Sequence, residues 1–114
     1  MREEHLTVQR TARYYTLGAA GPGLRQLVVA CHGYGQLAGR FIRHFAPLDD
    51  GSRLVVAPEA LSRFYLDEPG TAPAAERRVG ACWMTREDRL HEIDDYVRYL
   101  DALYARVTSG VVCT

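Results

Sequence analysis

The chain of 114 residues contains no lysine, and all fourteen of its basic side chains are arginine. Fourteen acidic side chains balance them, so the formal net charge is zero. Without an excess of positive charge, no long-range field attracts nucleic acid or an anionic membrane surface. The lack of lysine also removes the side chain that reaches the phosphates in a P-loop. The composition therefore argues against a nucleic-acid partner.

Cysteine is scarce, and no hydrophobic run is long. Cys31, Cys82 and Cys113 are odd in number, lie far apart and form no C-x-x-C pair, which argues against a disulfide framework or a cysteine zinc site. The longest apolar run is far shorter than a membrane span, and the charged residues 1–5 do not open a secretory signal. We expect free thiols, no metal, no other cofactor, no stable membrane insertion and a cytoplasmic location.

The first half of the chain alternates strand and helix patterns. Residues 6–15 predict an antiparallel edge strand. Residues 26–31 and 54–57 are short apolar runs typical of strands covered on both faces. Between these runs, apolar side chains recur at helical spacing: Leu37, Phe41, Phe45 and Leu48. Strand, helix and strand in this order predict a parallel βαβ unit with a right-handed crossover.

The second half combines an irregular stretch with a long amphipathic helix. Residues 58–84 predict a loop, either functional or a mobile surface insertion. The helix is expected to begin at Thr85, with Asp88 approximating a capping box. Its predicted apolar stripe comprises Leu90, Ile93, Val97, Leu100, Tyr104 and Val107. Gly110 ends the helix pattern, and residues 111–113 resemble the start of another buried strand.

These patterns together predict one domain over residues 1–114 of the α/β class. We expect a mostly parallel sheet with an antiparallel edge strand and flanking helices. In open sheets of this kind, ligands bind at the carboxyl ends of the strands, where a strand gives way to a helix. The first such position here is the end of the 26–31 run, which makes the following loop the place to look for chemistry.

That loop is His32-Gly33-Tyr34-Gly35. Glycines on both sides of Tyr34 allow the backbone to turn sharply and to approach a ligand closely. A backbone N–H turned outward from such a loop can stabilise a developing oxyanion by about 3 kcal/mol. His32 would then order the loop and would not act as a general base. A plain glycine-rich turn is the alternative, and the loop matches neither phosphate-binding glycine motif.

Three segments in order resemble the N-terminal portion of the phospholipase/carboxylesterase family of α/β-hydrolases: residues 29–36, residues 55–59 and residues 80–84 before the long helix. The resemblance implies action on small-molecule carboxylic esters, with the Tyr34 N–H in the oxyanion hole. It also implies that residues 58–84 border the acyl pocket, with Trp83 near its wall. Packing of Trp83 against the long helix is the alternative. The candidate substrate-binding residues are His32, Gly33, Gly35, Gln36, Trp83 and Met84.

The nucleophile of that family is not found in this sequence. None of the three serines, Ser52, Ser62 and Ser109, has the flanking glycines of the G-x-S-x-G elbow. His91 begins a segment similar to H-E-x-x-H, but Asp95 stands where the second zinc ligand belongs. We therefore expect a chain truncated before the elbow and inactive toward esters on its own.

Two alternatives to that expectation remain open. The first is a non-catalytic module that binds a small carboxylate in the crevice at residues 32–36, or a partner at an open strand edge. Such an edge also invites self-association, because its backbone N–H and C=O groups are unpaired. The second is an active esterase whose nucleophile does not lie in a recognisable motif.

Overall fold

The structure is a computed structural model, and it describes residues 1–109. Within that range it contains five strands: β1 (Tyr14–Leu17), β2 (Gln26–Val29), β3 (Arg53–Pro58), β4 (Ser62–Tyr65) and β5 (Val79–Cys82). The helices are α1 (Ala38–Phe41) and α2 (Arg89–Thr108), with 3₁₀ segments at Ile42–Leu48 and Ala74–Glu76. The strand predicted at residues 111–113 and the predicted helix break at Gly110 lie outside the described residues.

The main sheet has the strand order β1-β3-β2. Strand β2 runs parallel to β3, with Gln26 opposite Arg53, and α1 with its 3₁₀ extension connects the two. The predicted parallel strand–helix–strand unit is therefore present. Its helical part is a single α-turn followed by the 3₁₀ segment that contains Pro47, a residue that lacks the backbone N–H needed to extend an α-helix.

The prediction of a mostly parallel sheet with flanking helices is wrong. Strand β1 pairs with β3 in the antiparallel sense, and β4 and β5 form a separate two-stranded antiparallel sheet. A parallel neighbour requires a crossover connection, usually a helix, whereas residues 66–78 between β4 and β5 contain only the 3₁₀ turn Ala74–Glu76. The Leu66 N–H donates to the Arg78 carbonyl at 2.8 Å and closes this hairpin. Residues 58–84, predicted as a loop, thus hold two strands.

Burial distinguishes the two apolar strands of the main sheet. Strand β3 lies in the centre and is buried from Leu54 to Pro58. Strand β2 lies at an edge, and Val29 is 46% exposed, so the prediction that residues 26–31 are covered on both faces is wrong. Alternate β3 side chains face opposite ways. Val55 packs with the α1 region, and Val56 packs with Leu103 of α2.

The N-terminal segment and the start of α2 also differ from the prediction. Residues 1–13 form no strand, and β1 begins only at Tyr14. Helix α2 begins at Arg89, after Asp88 takes a left-handed conformation with a φ of 53°. The predicted capping box at Thr85 is therefore absent. Instead, the Glu92 carboxylate accepts a hydrogen bond from the Thr85 N–H at 2.9 Å.

The face of α2 that packs on the sheet is rotated from the predicted stripe. Three of the predicted core side chains are exposed: Leu90, Val97 and Tyr104. The contacts with β3 come from Tyr99, Leu103 and Val107, and of these only Val107 belongs to the predicted stripe. Within residues 1–109, no helix is both long enough and apolar enough to cross a lipid bilayer.

Candidate functional site

The loop at residues 32–36 follows β2 and is fixed by β5. The Gly35 N–H donates to the Ala81 carbonyl at 2.9 Å, and the Ala81 N–H donates to the Gln36 carbonyl at 3.0 Å. Gly35 has a φ of 75°, a left-handed conformation that favours glycine. The two glycines flanking Tyr34 thus permit a tight turn whose far end is bonded to a neighbouring strand.

The hydrogen bonds of residues 33–36 leave the Tyr34 N–H free. The Gly33 N–H donates to Gln36 Oε1 at 2.6 Å, and the Gln36 N–H donates to the Gly33 carbonyl at 3.2 Å. With Gly35 bonded to Ala81, the Tyr34 N–H is the one among residues 33–36 that finds no acceptor within residues 1–109. Tyr34 is also 74% exposed. The turn at residues 33–36 therefore presents one unpaired donor, at the residue for which the family resemblance implies an oxyanion contact.

His32 is buried beneath the loop, with 2% of its surface exposed. Its Nε2 accepts a hydrogen bond from the Ala60 N–H at 3.0 Å, and its Nδ1 lies 2.8 Å from the Gly33 carbonyl. Because a backbone N–H can only donate, Nε2 must be unprotonated and Nδ1 must carry the proton. Both ring nitrogens are therefore engaged, and neither is available as a general base.

Glu59 entered the sequence analysis only as the last residue of segment 55–59, one of the three segments that carry the family resemblance. Its surroundings in the structure make it a candidate functional residue. Its carboxylate is fully buried at the end of β3, where Oε1 accepts the Ala38 N–H at 3.2 Å. Arg63 and Arg13 both contact Oε2, at 2.6 and 2.7 Å. Burial alone would raise the pKa of Glu59, but the hydrogen bonds from Arg63 and Arg13 outweigh it and lower the pKa. Glu59 thus joins β3 to the start of α1.

A cavity of about 490 Å³ adjoins the loop. Gly35 and Gln36 form one side, and Leu66 and Val79 of the hairpin form another. The remaining lining is mostly basic, from Arg40, His44, Arg77 and Arg78.

The charges in this cavity are only partly neutralised. Arg78 is paired with Asp67 at 2.8 Å, and this contact lowers the pKa of the Asp67 carboxyl. Arg77 Nε is buried and has no hydrogen-bond partner among the described residues, while its guanidinium lies 4.1 Å from the centre of the Tyr65 ring. Arg40 likewise has no carboxylate partner within residues 1–109. The cavity is thus suited to an anionic or strongly polar group.

Trp83 and Met84 lie outside this cavity. Trp83 stacks on His32, with ring centres 5.2 Å apart, and its indole N–H donates to the His32 carbonyl at 2.9 Å. It also contacts the rings of Tyr96 and Tyr99 on α2, so it does pack against the long helix. Trp83 borders a separate groove of about 730 Å³ along α2. The Met84 carbonyl accepts a hydrogen bond from Cys82 Sγ at 2.9 Å. The position of Trp83 at an acyl-pocket wall stays a prediction.

Comparison of the chain with protein-family models, with curated proteins and with solved structures found no match. The similarity to the phospholipase/carboxylesterase family is therefore carried by the sequence motifs alone. The geometry around Tyr34 is independent of that similarity, because it follows from the hydrogen bonds of the loop itself.

Proposed function

We propose that residues 32–36 form the oxyanion-binding part of a site that hydrolyses small carboxylic esters, with the Tyr34 N–H as the donor. The observation that carries this proposal is the free Tyr34 N–H, which lies among the bonded N–H groups of Gly33, Gly35 and Gln36. A donor held in place before the reaction stabilises an oxyanion without the cost of reorganising. Trp83 supports the arrangement by fixing the carbonyl of His32.

The cavity beside Gly35 and Gln36 supports the same proposal. Its lining includes Gly35, the residue after Tyr34, and its volume is large enough for a short acyl or alcohol group. Its basic lining favours an ester with a negatively charged or strongly polar substituent. Gly33 and Gln36 position the donor through their mutual hydrogen bonds, while His32 orders the loop from below.

The proposal includes an attacking serine from outside these 114 residues, since none of their serines lies in a G-x-S-x-G motif. The test is to translate the nucleotide sequence beyond the codon of Thr114 in all three frames and to express the longer product. The proposal expects a G-x-S-x-G shortly after this point, and hydrolysis of p-nitrophenyl butyrate by the longer product. Absence of the motif in every frame contradicts it.

A fluorophosphonate probe applied to the 114-residue chain tests the nucleophile separately. The proposal expects no labelling of this chain and labelling of the longer product at the serine of its G-x-S-x-G. Labelling of Ser52, Ser62 or Ser109 would show a nucleophile within these residues and would favour the alternative of an esterase with an unrecognised motif.

A second candidate, a non-catalytic binder of a small carboxylate, is favoured by the unneutralised Arg40 and Arg77. Titration of the chain with butyrate by calorimetry tests it. Loss of binding in Arg77→Gln, with binding retained in the exposed control Arg43→Gln, would support it. Catalytic turnover by the longer product would instead favour the hydrolase.

The third proposal concerns partners and location. The open edge of β2, with its exposed Val29, offers a place for self-association or for a partner strand. Light scattering after gel filtration tests this, and a monomer at all concentrations contradicts self-association. Cys31 and Cys82 are both free thiols, which suits a reducing compartment, and we propose the cytoplasm.

A further inference from the structure

A second cluster of chemically active side chains lies away from the loop, where the N-terminal segment meets the start of α2. His5, Asp88 and His91 each offer one donor atom, and the three atoms lie within 4.8 Å of one another. The Asp88 carboxylate stands between the two imidazoles, with Oδ2 at 3.3 Å from His5 Nε2 and Oδ1 at 2.7 Å from His91 Nδ1. Two imidazole nitrogens and a carboxylate oxygen thus converge on one point.

The three residues come from distant parts of the sequence. The rings of His5 and His91 stack with their centres 4.1 Å apart, which holds the N-terminal segment on the first turn of α2. Asp88 precedes the helix, and His91 lies within that first turn. The Glu3 carboxylate lies 3.2 Å from His5 Nε2 and adds negative charge beside the cluster.

We propose that His5, Asp88 and His91 bind a divalent transition-metal ion of the Zn²⁺ type, which fastens residues 1–13 to α2. Two histidines and one carboxylate are a common ligand set for Zn²⁺, with water in the remaining position. Imidazole nitrogen favours Zn²⁺, Co²⁺, Ni²⁺ and Cu²⁺ over Mg²⁺ and Ca²⁺, which prefer oxygen ligands. The side chains are partly exposed, so an ion has direct access from solvent.

The proposed ion would take the place of the contacts between Asp88 and the two imidazole nitrogens. In its absence, these contacts are exposed hydrogen bonds and ion pairs, which contribute little to stability. A bound ion adds coordination bonds between the N-terminal segment and the helix. The segment also borders the groove beside Trp83, to which His5, Leu6 and Val8 contribute. Metal binding would therefore hold one wall of that groove in place.

The experiment is a titration of the chain with Zn²⁺ by calorimetry at neutral pH under a non-thiol reductant. The test variants are His5→Gln and His91→Gln. The matched control is His44→Gln, which changes another exposed histidine that is not part of the cluster. We expect one equivalent to bind to the wild type and to the control, and the two test variants to lose about 10-fold or more in affinity. Circular dichroism checks that all four proteins fold alike.

Two further readouts make the result decisive. Co²⁺ should give the visible absorption of a nitrogen and oxygen site, whereas a thiolate charge-transfer band would assign the ion to a cysteine and overturn the proposal. Zn²⁺ should slow tryptic cleavage after Arg10 in the wild type and not in His5→Gln. Equal Zn²⁺ affinity in all four proteins, no measurable binding, or an unchanged cleavage rate would each overturn it.

Discussion

Gly80 lies so close to the Gly35 carbonyl that a β-carbon at residue 80 would overlap the Gly35 oxygen. Because both partners are backbone atoms bonded between β5 and the loop, neither can move aside without breaking the Gly35–Ala81 hydrogen bond. We expect Gly80→Ala to lower the free energy of unfolding by about 1–3 kcal/mol or more. Urea denaturation measures this loss.

The control for this prediction is Gly21→Ala. A β-carbon at Gly21 meets nothing within 4 Å, and its φ is not in the left-handed region. We expect this variant to be neutral or slightly more stable, because alanine restricts the unfolded chain. Equal effects at the two positions would contradict the proposed close contact between β5 and the loop.

Gln36 determines which N–H of the loop is free. Gln36→Leu removes the acceptor of the Gly33 N–H, so we expect a stability loss of about 1 kcal/mol and faster hydrogen exchange at Gly33. Gln36→Glu keeps an acceptor oxygen at the same place and should preserve the protection of Gly33. Hydrogen exchange followed by NMR measures both, and unchanged exchange in Gln36→Leu would contradict the assigned hydrogen bond.

The buried carboxyl of Glu59 should make the protein less stable at acidic pH. Its pKa is lowered in the folded protein, chiefly by hydrogen bonds from Arg63 and Arg13 that outweigh burial. A lowered pKa contributes stability that is present above the ordinary glutamate pKa and is lost as the pH falls through the folded-state value. We expect Glu59→Gln to cost about 3 kcal/mol near neutral pH and to weaken the acid-dependent loss.

The control for Glu59→Gln is Glu68→Gln, which removes the same charge. Glu68 is exposed and makes no side-chain ion pair within residues 1–109. Other carboxyls with lowered pKa values, Asp50, Asp67 and Asp88, remain in both variants. The difference between the two pH profiles therefore isolates Glu59. Carboxyl groups in folded proteins usually titrate within about pH 3 to pH 7. Stability profiles of the wild type and Glu59→Gln that run parallel over this range would contradict the assignment.

Trp83 connects the loop to α2 through one hydrogen bond and several ring contacts. Trp83→Phe removes the bond to the His32 carbonyl and keeps an aromatic ring against Tyr96, so we expect a loss of about 1 kcal/mol. The backbone resonances of His32 and Gly33 should shift. Tyr96→Phe removes a hydroxyl with no partner among the described residues and should change neither. A variant Trp83→Phe with unshifted loop resonances would contradict the link.

The sequence predicted the central strand and the parallel unit because these depend on local patterns. Residues 54–57 form a short apolar run, and β3 is indeed buried there. The same pattern at residues 26–31 gave the wrong burial, because apolar content does not indicate whether a strand lies in the centre or at an edge. Helix α2 has apolar side chains on two faces, and only packing on Val56 selects the face with Leu103.

The candidate site likewise has some features that the sequence predicted and others that it did not. The loop at residues 32–36 is visible in the sequence because two glycines and a histidine follow an apolar run. The partners of His32 at Ala60 and of Gly35 at Ala81 depend on tertiary pairing and have no local signal. His5 had no signal either, since its proximity to His91 depends on how residues 1–13 lie against α2. Glu59 is a charged residue directly after a buried strand, so the local sequence pattern was sufficient to identify it as a candidate.

The most direct test of the central claim is an NMR titration of the ¹⁵N-labelled chain with butylphosphonate, whose tetrahedral oxygens imitate the oxyanion of ester hydrolysis. We expect a saturable downfield shift of the Tyr34 N–H that exceeds those of Gly33, Gly35 and Gln36, which already have acceptors. A Tyr34 resonance that does not move, or that moves no more than these three, would contradict the assignment of Tyr34 as the free donor.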